Sequence, residues 1–507
     1  MRKKNILLLV WMYLLYKILM QVNTMSGRNL ESVNVHKEVF QQYSERAGNK
    51  TAPHILFIIA DDLGFNDIGY HGSEIQTPNL DSLAMTGVRL ENYYVQPVCT
   101  PTRGQLLTGR YQIHTGLHWV LWPATPAGLA LDNPTIADKL RDAGYATHMV
   151  GKWHLGFYKA DYLPTRRGFD TYFGFLSGHS DYYTHVTGNY QEKLMIGFDL
   201  MENDRPANIS KYNGTYSTHL FGSKVKDIIN GHDLEKPMFI YISFQAVHAP
   251  LQVPEIYVKQ YSHIKDTKRR QYAGMVSCMD ESIGEIVDTM KKRGIWDNTL
   301  LIFTTDNGGN PNVGGSNVPL KGTKSTLWEG GIRAVGFVHS SLIGNKMNGY
   351  ISNELMHVTD WFPTLLSLAG GDLKGIKQLD GYDQWKTIKY GIRSPRQEIL
   401  HNIDPLYNNT FHTRRFSIRI GAWKIIIGQL GPGSRKKLSS DLQNVCLFNI
   451  ESDPFERIDL SEHFPEIVQN MLQRLEDYER NSVSCQLPAV DSRADPLHHD
   501  GFWQPWQ

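Results

Sequence analysis

The chain has 507 residues, 41% of them hydrophobic, and a formal net charge of +1. That length supports a large core plus a second domain, with room for about three domains on size alone. Charge this close to balance, with no long basic or acidic block, excludes a nucleic-acid footprint, so an anionic substrate would have to be held by a local cluster of cations.

Taken in chain order, Arg2-Lys3-Lys4 precedes an apolar run from Ile6 to Tyr16, the layout of a secretory signal. The run is shorter than the roughly 20 residues a membrane helix needs. Lys17 interrupts it, although Ile18-Leu19-Met20 could extend it. Residues 1–22 are therefore read as a signal peptide or a short uncleaved anchor, and residues 23–50 as a polar linker. Glycosylation sequons at Asn49, Asn208, Asn213 and Asn408 agree with passage through the secretory route. The four cysteines, Cys99, Cys278, Cys446 and Cys485, are too few for a disulfide scaffold.

At His54 the character changes. Ile55–Ala60 is a continuous apolar run, as expected of a strand covered on both faces, and it stops at Asp61-Asp62. Helices are expected over Asn79–Thr86 and Asn133–Ala143, and a strand over Thr147–Lys152. The alternation repeats with a helix over Ser217–Ile229, a strand over Met238–Phe244, and a long helix over Tyr272–Lys292. A strand over Thr299–Thr305 then ends in Asp306-Asn307. Alternation of this kind predicts an α/β sheet layered between helices over residues 51–392. From 393 to 507 the pattern becomes α+β, with an antiparallel pair at Phe416–Ile420 and Trp423–Ile427, a strand at Cys446–Ile450, and a helix after Pro465. The loop from His118 to Trp122 is read as packing or a sugar platform, and Asp181–His185 as a candidate wall of a substrate cleft.

Two acidic pairs, Asp61-Asp62 and Asp306-Asn307, follow strongly apolar strands, so both fall at the carboxyl edge where open α/β sheets bind ligands. Three carboxylates and an amide meeting there would repel one another without a cation, and all-oxygen ligation suits Ca²⁺ or Mg²⁺ better than zinc. Alone, either pair would more often cap a turn. Lys152 and His154 end another strand, and His248 follows the strand through Phe244. Lys324 lies in a glycine-bounded loop after Asn307. Lysine offers a point charge to an anion, and imidazole can exchange a proton near neutral pH. Cys99, taken by itself, is either half of a disulfide or a nucleophilic thiol.

Cys99-Thr100-Pro101-Thr102-Arg103, its continuation Gly104–Tyr111, and Gly151-Lys152-Trp153-His154-Leu155-Gly156 resemble the motifs of the formylglycine-dependent sulfatase family. Within it the chain resembles arylsulfatase B, the N-acetylgalactosamine-4-sulfatase, from about Pro53 to the C-terminal tail. The resemblance implies an alkaline-phosphatase-like fold: a large, mixed, mostly parallel sheet between helices, with a smaller C-terminal α+β domain. It implies that Cys99 is oxidised to formylglycine by a formylglycine-generating enzyme. It also implies one Ca²⁺ held by Asp61, Asp62, Asp306, Asn307 and the oxygen at position 99. Arg103, His154, Asp306 and His248 become catalytic candidates, and Lys152, His248 and Lys324 candidates for binding sulfate. The implied reaction is hydrolysis of a sulfate ester, with the 4-sulfate of N-acetylgalactosamine in dermatan or chondroitin sulfate as leading substrate. Small aryl sulfates are further implied substrates, and the location is lysosomal or secreted. The alternatives are an arylsulfatase acting on another glycan, or a silent binding protein if Cys99 stays unconverted. A two-zinc phosphate-ester hydrolase is disfavoured, because no Asp-x-x-x-His pair stands at a strand end. Departures from the family are Thr102, where serine is commoner, and Ala124–Ala127, where vertebrate arylsulfatase B has cysteines. A third is the 405–416 stretch, which is shorter than in that enzyme.

Overall fold

The computed structural model describes residues 52–191, 193–404, 414–428, 445–485 and 487–507. The expected signal or anchor, the linker, Asn49 and Asn408 lie outside the described residues. The run His54–Ala60 (β1) is a strand buried along its whole length. Successive side chains of a strand point to opposite faces. Accordingly Ile55, Phe57 and Ile59 enter one core cluster, and Leu56, Ile58 and Ala60 enter another. A strand with two apolar covers must be apolar throughout, which is why this run does not alternate.

The strands that follow are β2 (Val88–Leu90), β3 (Ala146–Lys152), β4 (Thr171–Phe175), β5 (Met201–Glu202) and β6 (Arg205–Pro206). Next come β7 (Met238–Ser243), β8 (Thr299–Thr305), β9 (Gly336–His339) and β10 (Tyr350–Ser352). They form one ten-stranded sheet in the order β10-β2-β9-β8-β1-β7-β3-β4-β5-β6. The five central strands, β8 to β4, are parallel, and antiparallel pairs extend both sides. The carboxyl ends of β8, β1, β7 and β3 therefore share one edge.

Helices α1 (Pro78–Thr86), α2 (Cys99–Thr108), α3 (Ile136–Asp142), α4 (Ser217–Gly231) and α5 (Thr267–Lys292) accompany the sheet. The periodic stripe Met275, Met279, Ile283, Ile286 and Met290 is buried core. α5 begins five residues before the periodicity does, because the Asp266 side chain caps it by accepting the Arg269 N–H. α3 starts at Ile136 because Thr135 and Asp138 form a reciprocal capping box. Around α1, Asp280 of α5 accepts the N–H groups of Asn79 and Leu80 at 3.2 and 2.7 Å.

Near the C-terminus, β11 (Glu398–Ile403), β12 (Phe416–Ile420), β13 (Trp423–Ile427) and β14 (Val445–Asn449) make a four-stranded antiparallel sheet. Helix α6 (Pro465–Arg480) packs on it through Met471 and Leu475, in a cluster that also takes in Tyr111 and Ile113 just past α2. The last stretch of the expected 393–507 segment lies elsewhere: Ala494 and Trp503 join the core under the large sheet. Residues 52–507 form one compact unit. All four cysteines are free. Among the described residues no helix is long and apolar enough to cross a membrane. Asn208 and Asn213 are both exposed.

Candidate active site

Cys99 is the first residue of α2, a helix buried at every position. A helix N-terminus presents unpaired N–H groups and a favourable field for an anion. The Cys99 thiol lies 3.8 Å from Asp61 Oδ1. Burial, together with the Asp61 and Asp306 carboxylates, pushes it up to about 11 against the pull of Lys152 and Lys324. Reactive thiols are shifted the other way. As an unmodified cysteine, this side chain is a poor nucleophile.

Asp61 and Asp62 leave the end of β1. Lys152, the last residue of β3, donates to Asp61 Oδ2 at 2.5 Å. Lys324 donates to Asp62, 2.7 Å from Oδ1. Burial by itself would raise both carboxyls. Lys152, His248 and Arg103 overcome it at Asp61, and Lys324 and His248 at Asp62, so both stay below the usual carboxylate range. Burial works against the Lys324 ammonium, yet Asp62 and its neighbours raise it above an ordinary lysine.

Arg103, one turn after Cys99, is fully buried and donates to Asp306 Oδ2 through Nε at 3.2 Å and Nη2 at 2.7 Å. Its Nη1 donates to Ser243 Oγ at 2.5 Å. Asp306 Oδ1 accepts the Asp62 N–H at 3.2 Å, and Asn307 Nδ2 donates to Asp62 Oδ1 at 2.7 Å. Gly151 enables the approach of Lys152: its φ is 103°, and a Cβ there would sit 1.9 Å from the Ser243 carbonyl oxygen.

His154 Nε2 lies 3.0 Å from the Leu121 carbonyl, so Nε2 carries the proton and Nδ1 is left as an acceptor. Nδ1 is buried without a hydrogen-bond partner. Burial, with Lys152 and Arg103, holds this imidazole neutral, well below an ordinary histidine. His248 Nδ1 faces its neighbour's carbonyl, Ala249 O, at 2.6 Å, and its Nε2 is 3.7 Å from Asp62. The loop His118–Trp122 thus serves to orient His154. Tyr182, from the expected cleft wall, donates to the His248 carbonyl at 2.8 Å.

Every residue expected in the site converges here. Ser243 and His179 escaped the sequence reading. Ser243 offers only a strand-end hydroxyl, and His179, stacked on His248 with ring centroids 5.6 Å apart, has no motif around it.

Two groups of side chains have ligand atoms close enough to share a metal ion: Asp61, Asp62 and His248, and Asp61, Cys99 and Asp306. Asn307 Oδ1 is buried with no hydrogen-bond partner. An orphaned buried oxygen beside three carboxylates fits the donor set of a hard divalent cation.

The family model for sulfatases matches residues 53–371. The chain belongs to the sulfatase family. As a sulfatase it is a sulfuric ester hydrolase, with the alkaline-phosphatase-like arrangement of a mostly parallel sheet and a small four-stranded C-terminal sheet. Arylsulfatase J of Mus musculus is 48% identical to this sulfatase over 512 residues, spanning 95% of this chain and 85% of the relative. N-acetylgalactosamine-6-sulfatase of Homo sapiens is 29% identical over 480 residues, spanning 87% and 88%. The solved structure of Ps i-CgsB in complex with k-i-k-neocarrahexaose superposes with a TM-score of 0.76 at 28% identity, covering 87% of this chain and 96% of that one.

Proposed function

We propose that this sulfatase removes sulfate from N-acetylgalactosamine units of dermatan or chondroitin sulfate, at the 4-position, after Cys99 has been oxidised to formylglycine. The observation that carries the reading is the convergence of Lys152, Lys324, His154, His248, Asp61, Asp62, Asp306 and Asn307 around one cysteine at a helix N-terminus. Relatives named for an arylsulfatase and for a sulfated hexosamine support the substrate class. In this reading a formylglycine-generating enzyme modifies the chain in the secretory route, and the mature protein is lysosomal or secreted.

Formylglycine at position 99 would supply a hydrated aldehyde as an oxygen nucleophile toward sulfur, and a bound cation, Ca²⁺ in this reading, would supply positive charge. Asp61, Asp62, Asp306 and Asn307 would hold that cation. The rest falls to the chain's own side chains. Lys152 and Lys324 neutralise sulfuryl oxygens, which otherwise repel a nucleophile. Arg103 fixes Asp306 so that its carboxylate can take a proton from the nucleophile. His248 or Lys324 protonates the leaving oxygen: the Lys324 ammonium is raised above an ordinary lysine, whereas burial and Lys324 hold His248 below an ordinary histidine. His154 Nδ1 accepts the proton set free when sulfate departs.

Mass analysis of the Cys99 peptide from secreted protein is expected to show loss of H₂S and gain of oxygen. Cys99→Ala is expected to abolish turnover. An unmodified thiol in active protein would overturn the reading. A panel of 4- and 6-sulfated N-acetylgalactosamine disaccharides tests the position: preference for the 6-sulfate would keep the chemistry and refute the regiochemistry.

A further inference from the structure

We propose that Arg415, at the entrance to β12 in the small C-terminal sheet, is a positioning residue for Lys324 and thereby sets how tightly the site grips sulfate. The inference rests on the assignment of Lys324 to sulfate binding made above.

Lys324 reaches Asp62 from a loop, and the backbone of that loop is tied at successive residues. The Lys324 N–H donates to Gly309 O at 3.1 Å, and the Ser325 N–H to Pro97 O at 2.7 Å. The Ser325 carbonyl accepts from Arg415 Nη1 at 2.9 Å. Gly309 follows the Asp306-Asn307 pair, and Pro97 lies two residues before Cys99. One loop thus joins the acidic strand end, the nucleophile helix and the C-terminal sheet.

The joint is under strain. Ser325 has φ 70°, the left-handed region that residues with a Cβ avoid. Its carbonyl would relax if the hydrogen bond to Arg415 were lost. Arg415 is itself immobilised, because Nε donates to Asp404 Oδ2 at 2.9 Å and its backbone N–H to the same oxygen at 3.1 Å. Asp404 is buried. A guanidinium fork can serve a carboxylate and a carbonyl in fixed directions at once, which an ammonium on a flexible stem cannot.

The far end of the loop is held from the same side. Glu456 Oε2 accepts the Glu329 N–H at 2.7 Å, and Leu327 and Trp328 pack against Ile426 and Phe448. Those contacts anchor the loop as a whole, whereas Arg415 acts on the residue adjacent to Lys324. The C-terminal sheet is in this view part of the machinery that aims a substrate-binding cation.

The test compares Arg415→Ala, Arg415→Lys, Lys324→Ala and the double variant Lys324→Ala/Arg415→Ala, by KM for a sulfate ester, Ki for inorganic sulfate, and thermal unfolding. Arg415→Ala is expected to raise KM and Ki together by about tenfold, and also to lower the unfolding midpoint, because buried Asp404 loses its cationic partner. Arg415→Lys is expected to lose as much, since charge without the fork does not hold Ser325; it also covers the case in which the alanine variant fails to fold. Adding Arg415→Ala to Lys324→Ala is expected to cost nothing further. If Lys324→Ala leaves KM and Ki unchanged, the sulfate-binding assignment falls and this inference with it. If Lys324→Ala weakens sulfate binding but neither Arg415 variant does, or if the two losses multiply, the positioning role alone is refuted.

Discussion

Thr102 stands where sulfatases more often have serine, and its hydroxyl is engaged on both sides. The hydroxyl donates to the Asp306 carbonyl at 2.6 Å and accepts the Gln96 N–H at 2.9 Å. It ties α2 to the strand end that supplies Asp306 and Asn307. Either hydroxyl residue makes both bonds. Thr102→Val would leave two buried backbone groups unpaired, and is expected to cost about 3 kcal/mol. Thr102→Ser would forfeit one buried methyl, about 1 kcal/mol. Urea unfolding of the two variants checks the difference, and equal losses would mean that the methyl matters as much as the hydroxyl.

At the scale of elements, α1 begins with no side-chain cap of its own. Its first N–H groups are satisfied by Asp280 from the middle of α5, which also accepts Asn79 Nδ2 at 2.8 Å. Burial pushes Asp280 up to about 6, opposed by those same hydrogen bonds. Asp280→Ala would strip the cap and orphan buried donors, and is expected to cost about 3 kcal/mol, read by chemical unfolding, with KM unchanged because Asp280 touches nothing in the site. Nothing near Asp280 in the sequence announces this role. The Met and Ile stripe of α5 was legible because its period is local. A carboxylate serving a helix 200 residues away is not.

For the whole molecule, the contact between the two sheets holds a buried ionic group. Lys424 of β13 donates to Glu329 and to Glu456, both at 2.8 Å, and Tyr94 donates to Glu329 at 2.7 Å. Burial opposes both carboxylates. At Glu329 the cations Lys424, Arg333 and Arg419 win and keep it below its usual range. At Glu456 burial wins over Lys424 and brings the carboxyl to about 7. A folded-state pKa above the unfolded one means that the native protein binds the extra proton. Its stabilising contribution is complete below about 4.5 and is lost as pH rises through 7, at about 1.4 kcal/mol per unit of displacement. Relative to the wild type, Glu456→Gln is therefore expected to gain melting temperature between pH 5 and pH 7.5, because the variant lacks the contribution that the wild type loses over that range. An unaltered pH profile of the melting temperature in the variant would refute the assignment.

By itself the sequence determined the buried strands, the acids and amide that terminate them, and the cysteine motif, because each is written within a few consecutive residues. Five parallel strands then had little choice but to bring Asp61, Lys152, His248 and Asp306 to one edge. The tertiary structure alone decided what orients those groups. The Leu121 carbonyl sets the His154 tautomer, Ser243 steadies Arg103, and Arg415 holds the residue beside Lys324. Such partners are single polar atoms supplied from distant parts of the chain. A hydrogen bond between them leaves no period, spacing or composition behind in the sequence, so only the packed chain reveals it.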